Sequence, residues 1–193
     1  MTKSIMFVGV GGQGTLLASR IIGHVVLAEG FDAKVSEVHG MSQRGGSVST
    51  YVKYGEKVHS PIVDKGEADI IVAFEQMEAA RWVSYVKEGG MMIINTQKLE
   101  PMPVITGVAE YNEDIVGKIK SVGIELTAID ALELAEKAGS AKSVNVVMMG
   151  ALSKVLDFDV KLWEEAIKAC APKNAVDVNL KAFEYGRANK EVV

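Results

Sequence analysis

Near the start of the chain, Gly9-Val10-Gly11-Gly12-Gln13-Gly14 carries the spacing G-x-G-x-x-G directly after the apolar run Ile5-Met6-Phe7-Val8. In a strand–loop–helix setting each glycine has a task. The first permits the tight turn, the second lets backbone approach a phosphate, and the third lets helix and strand pack closely. The start of the following helix adds free N–H groups and a partial positive charge, so the loop suits an anion or a nucleotide. Gly12 leaves the loop barer still, and Gln13 contributes an amide. A turn that binds nothing would carry the same pattern. A second group follows at His39-Gly40-Met41-Ser42-Gln43-Arg44-Gly45-Gly46. Arg44 brings a permanent charge on a planar fork that matches carboxylate or phosphate. Ser42 and Gln43 supply hydrogen bonds, and Gly45 and Gly46 admit close backbone approach. The bland alternative is a solvated turn with Arg44 paired to a surface carboxylate. Both loops leave the carboxyl ends of strands, the edge of an open parallel sheet where ligands bind.

Other residues are more ambiguous. Glu37 stands about where a nicotinamide enzyme keeps its ribose-binding carboxylate, but a long polar loop follows it and no substrate domain is evident. His39 could shuttle a proton or bond to backbone. His24 and His59 read as structural or solvated. Asn145, at the start of a helical pattern, could bond to the Gly loop, hold a ligand or cap its helix. Met148 and Met149 beside Gly150 suit either a soft partner-facing surface or core packing. Cys170 sits between Ala169 and Ala171 on an apolar helical face and reads as a small buried hydrophobe. A single cysteine excludes an intrachain disulfide, a Cys-ligated iron–sulfur cluster and a Cys-rich zinc site. The three histidines lack metal-ligand spacing, so no metal site is expected, and no catalytic triad is legible.

The elements that must position these groups follow from periodicity. Ile5–Val8 reads as a doubly buried strand. A helix follows, with Leu17, Ile21, Val25 and Ala28 on one stripe, Leu16 and Ile22 widening it, and Gly30 as its stop. A strand at about Ala33–Val38 completes a βαβ unit. Val48, Thr50, Val52 and Tyr54 then alternate with Ser49, Tyr51 and Lys53, a strand with one wetter face. Gly55-Glu56 predicts a hairpin turn with a returning strand near Lys57–Ile62. Strands are expected at Asp69–Phe74, Met91–Asn95 and Ile124–Ala128. The intervening helices span Glu75–Val86, stopped near Gly89-Gly90, and about Asn112–Val122. Pro101 and Pro103 break the chain between them. Asp130 caps a helix ending at Gly139. Three helical stripes close the chain: Val144–Val155, one around Leu162, Trp163, Ala166 and Ile167, and a less regular one through Val176, Leu180, Phe183 and Tyr185. The fold class is therefore α/β, a Rossmann-like, mostly parallel sheet with an added β-hairpin and a helical C-terminal third.

Length and composition set the frame. At 193 residues, 48% hydrophobic and 24% charged, the chain fits a single domain over 1–193 with a full core. A formal charge of −4 without a dense basic run argues against general nucleic-acid binding. No apolar stretch reaches the roughly 18 to 20 residues of a membrane span, and no signal peptide is read, so a soluble cytoplasmic protein is expected.

The run Glu37-Val38-His39-Gly40-Met41-Ser42-Gln43-Arg44-Gly45-Gly46-Ser47, taken with the Gly loop and Asn145-Val146-Val147-Met148-Met149-Gly150-Ala151-Leu152, resembles the gamma-type subunits of 2-oxoacid:ferredoxin oxidoreductases. The indolepyruvate type is the most similar, and the likeness covers nearly the whole chain. This resemblance implies an enzyme that decarboxylates a 2-oxoacid on thiamine diphosphate with magnesium, passes electrons through iron–sulfur clusters to ferredoxin, and forms an acyl-CoA. The thiamine and clusters belong to partner chains. This chain would bind no cofactor alone and would help form or cover the coenzyme A cleft, with Gly9, Gly11, Gly12, Gln13, Gly14, Ser42, Gln43, Arg44, Gly45, Gly46 and Asn145 as its candidate contacts. Two other classes stay open from the residues themselves: a free-standing NAD(P)- or flavin-binding oxidoreductase, and a non-catalytic binding module.

Overall fold

The computed structural model describes residues 2–39 and 46–189. Among them, six strands form one sheet in the order β2-β3-β1-β4-β5-β6. They are β1 Lys3–Val10, β2 Asp32–His39, β3 Ser47–Gly55, β4 Ala68–Ala73, β5 Val86–Asn95 and β6 Glu125–Ile129. Strands β1, β4, β5 and β6 run parallel, while β3 is antiparallel to both of its neighbours, β1 and β2. The helices are α1 Thr15–Ala28, α2 Gln76–Trp82, α3 Met102–Ile105, α4 Ile115–Ser121, α5 Ala131–Ala138, α6 Val144–Val155, α7 Val160–Cys170 and α8 Val176–Ala188. This is the expected α/β class, with a mixed sheet and a helical C-terminal region.

Alternation along β1 explains why the sheet is covered on both faces. Ile5 and Phe7 point into a large core with α1, α5, α6, α7 and α8, whereas Met6 and Val8 point into a smaller one beneath α2 and α4. The C-terminal helices thus form one layer against the sheet. Within that layer α6 and α8 touch backbone to backbone. A Cβ on Gly150 would collide with the Phe183 carbonyl oxygen, and one on Gly186 with that of Val147. Only glycine fits either position.

The added hairpin exists, but its strands are not the expected ones. It consists of β2 and β3, with Val38↔Ser49 and Asp32↔Gly55 in register. Residues 57–62 form no strand. Their chain is instead held at Val58, whose N–H donates to Asp32 Oδ2 at 2.8 Å. Two consequences follow. The strand reached from β1 through α1 is not the neighbour of β1, because β3 lies between them. And the connection between β2 and β3, rather than Gly55-Glu56, is the hairpin loop. A further correction concerns Gly89-Gly90, which does not stop a helix. Helix α2 ends at Trp82, a 3-10 turn covers Val83–Tyr85, and both glycines lie in β5. There the register with β4 jumps from Ala68↔Val86 to Ile70↔Met91, a bulge that small residues permit. By contrast, Asp130 caps α5 as expected, accepting from the Glu133 N–H at 2.9 Å, and Gly139 ends it at φ 114°.

Candidate functional site

The Gly loop is built by hydrogen bonds that the sequence itself supplies. Where β1 ends, the Gln13 N–H closes a turn onto the Val10 carbonyl at 3.1 Å. The Gln13 side chain folds inward: Val10 N–H donates to its Oε1 at 2.7 Å, and its Nε2 donates to the Phe74 carbonyl at 3.1 Å. Gly9 is a strand residue opposite Val48, and its missing side chain leaves room for that amide, since a Cβ there would lie 2.7 Å from Gln13 Oε1. Gly14 takes the left-handed conformation at φ 83° and hands over to α1. No side chain caps that helix and its first turn carries no acidic residue. Asn145 Nδ2 donates to the Gly14 carbonyl at 3.2 Å, tying α6 to the loop. A Cβ at Gly14 would strike that amide. Gln13 and Asn145 therefore shape the loop through their own side chains.

The second loop meets the first at its far end. Gly11 N–H donates to the Gly46 carbonyl at 2.8 Å, and Val10 pairs with Ser47. Ser42, Gln43, Arg44 and Gly45 lie outside the described residues. Their flanks, His39 and Gly46, stand at the same sheet edge as the Gly loop because β3 is antiparallel to both neighbours. Between them lies a cleft of about 380 Å³. Gly11, Gly12, Gly14, Thr15 and Leu16 form one wall, and Glu37, His39 and Val48 the other. Glu37 is steadied by the Thr50 hydroxyl at 3.4 Å.

On the other side of the 46–47 turn is a second cleft, of about 360 Å³, between Val10 and Ser47 and the segments that follow β4 and β5. Its polar residues escaped the sequence reading. Glu75, 1% exposed, caps α2 by accepting from Glu78 N–H at 3.0 Å, and also accepts from Leu99 N–H at 3.1 Å and the Tyr111 hydroxyl at 2.7 Å. Burial and the Glu75 carboxylate push the Tyr111 phenol up. Glu78 accepts from the Ser47 hydroxyl at 2.5 Å and pairs with Arg81 at 3.2 Å. Burial raises its carboxyl above the usual range despite these partners. Asn95, fully buried, donates to the Phe74 carbonyl at 3.0 Å and accepts from Ala131 N–H at 3.1 Å. Gln13 and Asn95 thus converge on one carbonyl and stitch the ends of β1, β4 and β5 to the start of α5. The legible signal was Glu75-x-x-Glu78 directly after an apolar strand, a spacing like that of a capping box.

Beyond this edge, Met102, Ile105 and Val108 are all more than half exposed, an apolar projection beside the second cleft. Among the described residues no three His, Cys, Asp or Glu side chains converge as metal ligands would. No described helix is long and apolar enough to cross a membrane.

Comparison with known proteins adds identity to this geometry. Residues 4–189 match the family described as pyruvate ferredoxin/flavodoxin oxidoreductase. The sequence is 41% identical over 196 aligned positions to indolepyruvate oxidoreductase subunit IorB of Thermococcus kodakarensis, covering 98% of this chain and 97% of that one. In structure it is similar to pyruvate oxidoreductase subunit PORC of Thermotoga maritima, with a TM-score of 0.74 at 20% identity over 96% of this chain and 94% of that chain. It also matches part of a 2-oxoglutarate:ferredoxin oxidoreductase of Magnetococcus marinus, again at TM-score 0.74 and 20% identity, over 97% of this chain but 30% of that longer one.

Proposed function

The chain belongs to the pyruvate ferredoxin/flavodoxin oxidoreductase family as a non-catalytic, IorB/PorC-type subunit, and from that premise we propose how it works. It joins a thiamine- and cluster-bearing partner in a cytoplasmic complex that oxidises indolepyruvate or another arylpyruvate to its acyl-CoA and reduces ferredoxin. Its own contribution is one wall of the coenzyme A cleft.

The observation that carries this reading is the bond from Gly11 N–H to the Gly46 carbonyl, which ties the Gly loop to the start of β3 beside a cleft that Glu37 and His39 also line. There the bare Gly11–Gly14 backbone and the unopposed start of α1 suit a diphosphate. Glu37, across the cleft, suits a hydroxyl or amino donor of the same nucleotide. Arg44, placed by sequence between His39 and Gly46, suits a further anion. The Magnetococcus protein, of which a similar unit is one part, was solved with coenzyme A and succinyl-CoA, which supports the choice of nucleotide. The 41% identity to an indolepyruvate subunit supports the choice of substrate.

Neither thiamine nor the clusters are assigned to this chain, and for the clusters its cysteine content gives the reason. Cys170 is the only cysteine, and burial pushes its thiol up, away from the thiolate that binds iron. These groups fall to the partner, where thiamine would stabilise the carbanion left by decarboxylation. The exposed Met102, Ile105 and Val108 are the surface we assign to partner contact.

Thermal unfolding of the assembled complex with coenzyme A, NAD(H) or FAD tests the cleft assignment. A ligand at 100 times its dissociation constant stabilises by about 2.7 kcal/mol. Coenzyme A alone should raise the transition. Stabilisation by NAD(H) or FAD in its place would return the cleft to a dinucleotide enzyme.

A further inference from the structure

A cleft of about 520 Å³ is at the opposite end of the sheet from the Gly loop. It opens at the amino ends of the parallel strands, where Lys3, Asp69, Lys87 and Glu125 lie at or near the starts of β1, β4, β5 and β6. The bulge at Gly89-Gly90 interrupts the β4–β5 ladder there and forms part of the mouth. The volume is in the range of small-molecule sites.

Its interior is apolar and aromatic. Ile5, Ile70 and Met91 make the floor. Phe31, Tyr54 and Phe158 make a wall of three mutually tilted rings, with centroids 5.7, 6.0 and 6.3 Å apart. An aromatic ring can meet such rings through edge-to-face contacts. Tyr54 is 6% exposed and lines this cleft, and its hydroxyl is not among the buried atoms left without a partner, so the hydroxyl is accessible from the cleft. Burial and the Asp69 charge push this phenol up to about 12, so it stays protonated and can donate.

The cross-strand partner of Tyr54 is Lys3, which places an ammonium and this hydroxyl on the same face of adjacent strands. Lys3 now reaches Asp69 at 3.4 Å, but Asp69 is also held more closely by Lys87, and by Ser4 N–H at 2.8 Å and Ser4 Oγ at 2.9 Å. Lys3 is 51% exposed at its side chain and can turn without leaving Asp69 bare. Glu125 and Asp157 also line the mouth, both exposed to solvent, where their charges are screened.

We propose that this amino-edge cleft is a second ligand site, for an aromatic carboxylate whose ring lies on the Phe31–Tyr54–Phe158 wall and whose carboxylate accepts from the Tyr54 hydroxyl and pairs with Lys3. The site is independent of the carboxyl-edge cleft and of the reading given to it.

Titration of the full chain with 2-naphthoate, followed by calorimetry and by amide NMR, tests this. Saturable one-site binding is expected, with shifts at Tyr54, Gly89 and Phe158 and none at Gly11–Gly14. Tyr54→Phe keeps the ring and removes only the hydroxyl, and should weaken binding about tenfold, as should Lys3→Met and the neutral probe 2-naphthamide. Unchanged melting temperatures would confirm that both variants fold. Absence of saturable binding, equal affinity in Tyr54→Phe, equal affinity for the amide, or shifts confined to the Gly loop would each overturn the proposal.

Discussion

Replacing Gln13 by Ala should loosen the Gly loop by an amount that the geometry fixes. Two hydrogen bonds disappear, from Val10 N–H at 2.7 Å and to the Phe74 carbonyl at 3.1 Å. Each is worth a net of about 0.5–1.5 kcal/mol. The Phe74 carbonyl retains Asn95 Nδ2 at 3.0 Å and loses little, whereas Val10 N–H loses the acceptor that Gln13 Oε1 gives it. The total is then about 1–2 kcal/mol, and at roughly 2–4 °C per kcal/mol for a chain of this size the melting temperature should fall by roughly 2–8 °C. Scanning fluorimetry measures this, and hydrogen exchange at Val10 should quicken in parallel. Gln13→Glu sharpens the test, since it preserves the acceptor for Val10 but sets an oxygen against the Phe74 carbonyl. In the assembled enzyme both variants should raise the apparent KM for coenzyme A more than they lower kcat, because the amide shapes the loop and does not touch the ligand. An unchanged melting temperature together with unchanged Val10 exchange would refute the positioning argument.

Three further predictions follow from other parts of the molecule. Gly186→Ala should cost several kcal/mol, on the order of the worst overpacking cases, because the new methyl meets the Val147 carbonyl backbone; chemical denaturation of the purified variant measures it. Glu78 binds its proton more tightly folded than unfolded, so its contribution to stability falls as pH rises from the ordinary carboxylate range through its raised value. Glu78→Gln should therefore flatten the stability–pH curve over that interval and gain on the wild type toward neutrality, as read by urea unfolding at stepped pH. Arg44→Lys preserves charge but loses the planar fork, and should leave the melting temperature unchanged while raising the coenzyme A requirement of the complex in steady-state assays.

The sheet's parallel half was legible because its strands are buried on both faces and read as unbroken apolar runs, Ile70-Ile71-Val72-Ala73 being the plainest. The C-terminal helices were legible from their stripes, and α5 from the Asp130 cap and Gly139 stop. The hairpin partner was not. Gly55-Glu56 carries a turn signal, but pairing depends on which strand completes the sheet, and β2 offers eight paired positions where the Pro61-containing 57–62 segment offers none. Gly89-Gly90 misled for a related reason, since glycines serve bulges and helix ends alike. Of the candidate site, spacing alone placed both loops at one edge. It could not tell that Gln13 turns inward, because an amide beside Gly12 suits a ligand or the Phe74 carbonyl equally. Nor could it reveal the Glu75–Tyr111 and Glu78–Ser47 contacts, whose partners are 36 and 31 positions apart. The Gly150–Gly186 crossing was hidden in the same way.

The proposed function depends on a division of labour between this chain and a thiamine- and cluster-bearing partner. Affinity purification of the tagged full chain from its native host under anaerobic conditions, with reconstitution of the separated components, measures it. The predicted result is an equimolar complex with a chain carrying thiamine diphosphate and iron–sulfur clusters. Its coenzyme A-dependent reduction of ferredoxin by an arylpyruvate should be lost when this chain is removed and restored when it is added back. Full arylpyruvate turnover by the partner alone, or stoichiometric iron bound to this chain alone, would contradict it.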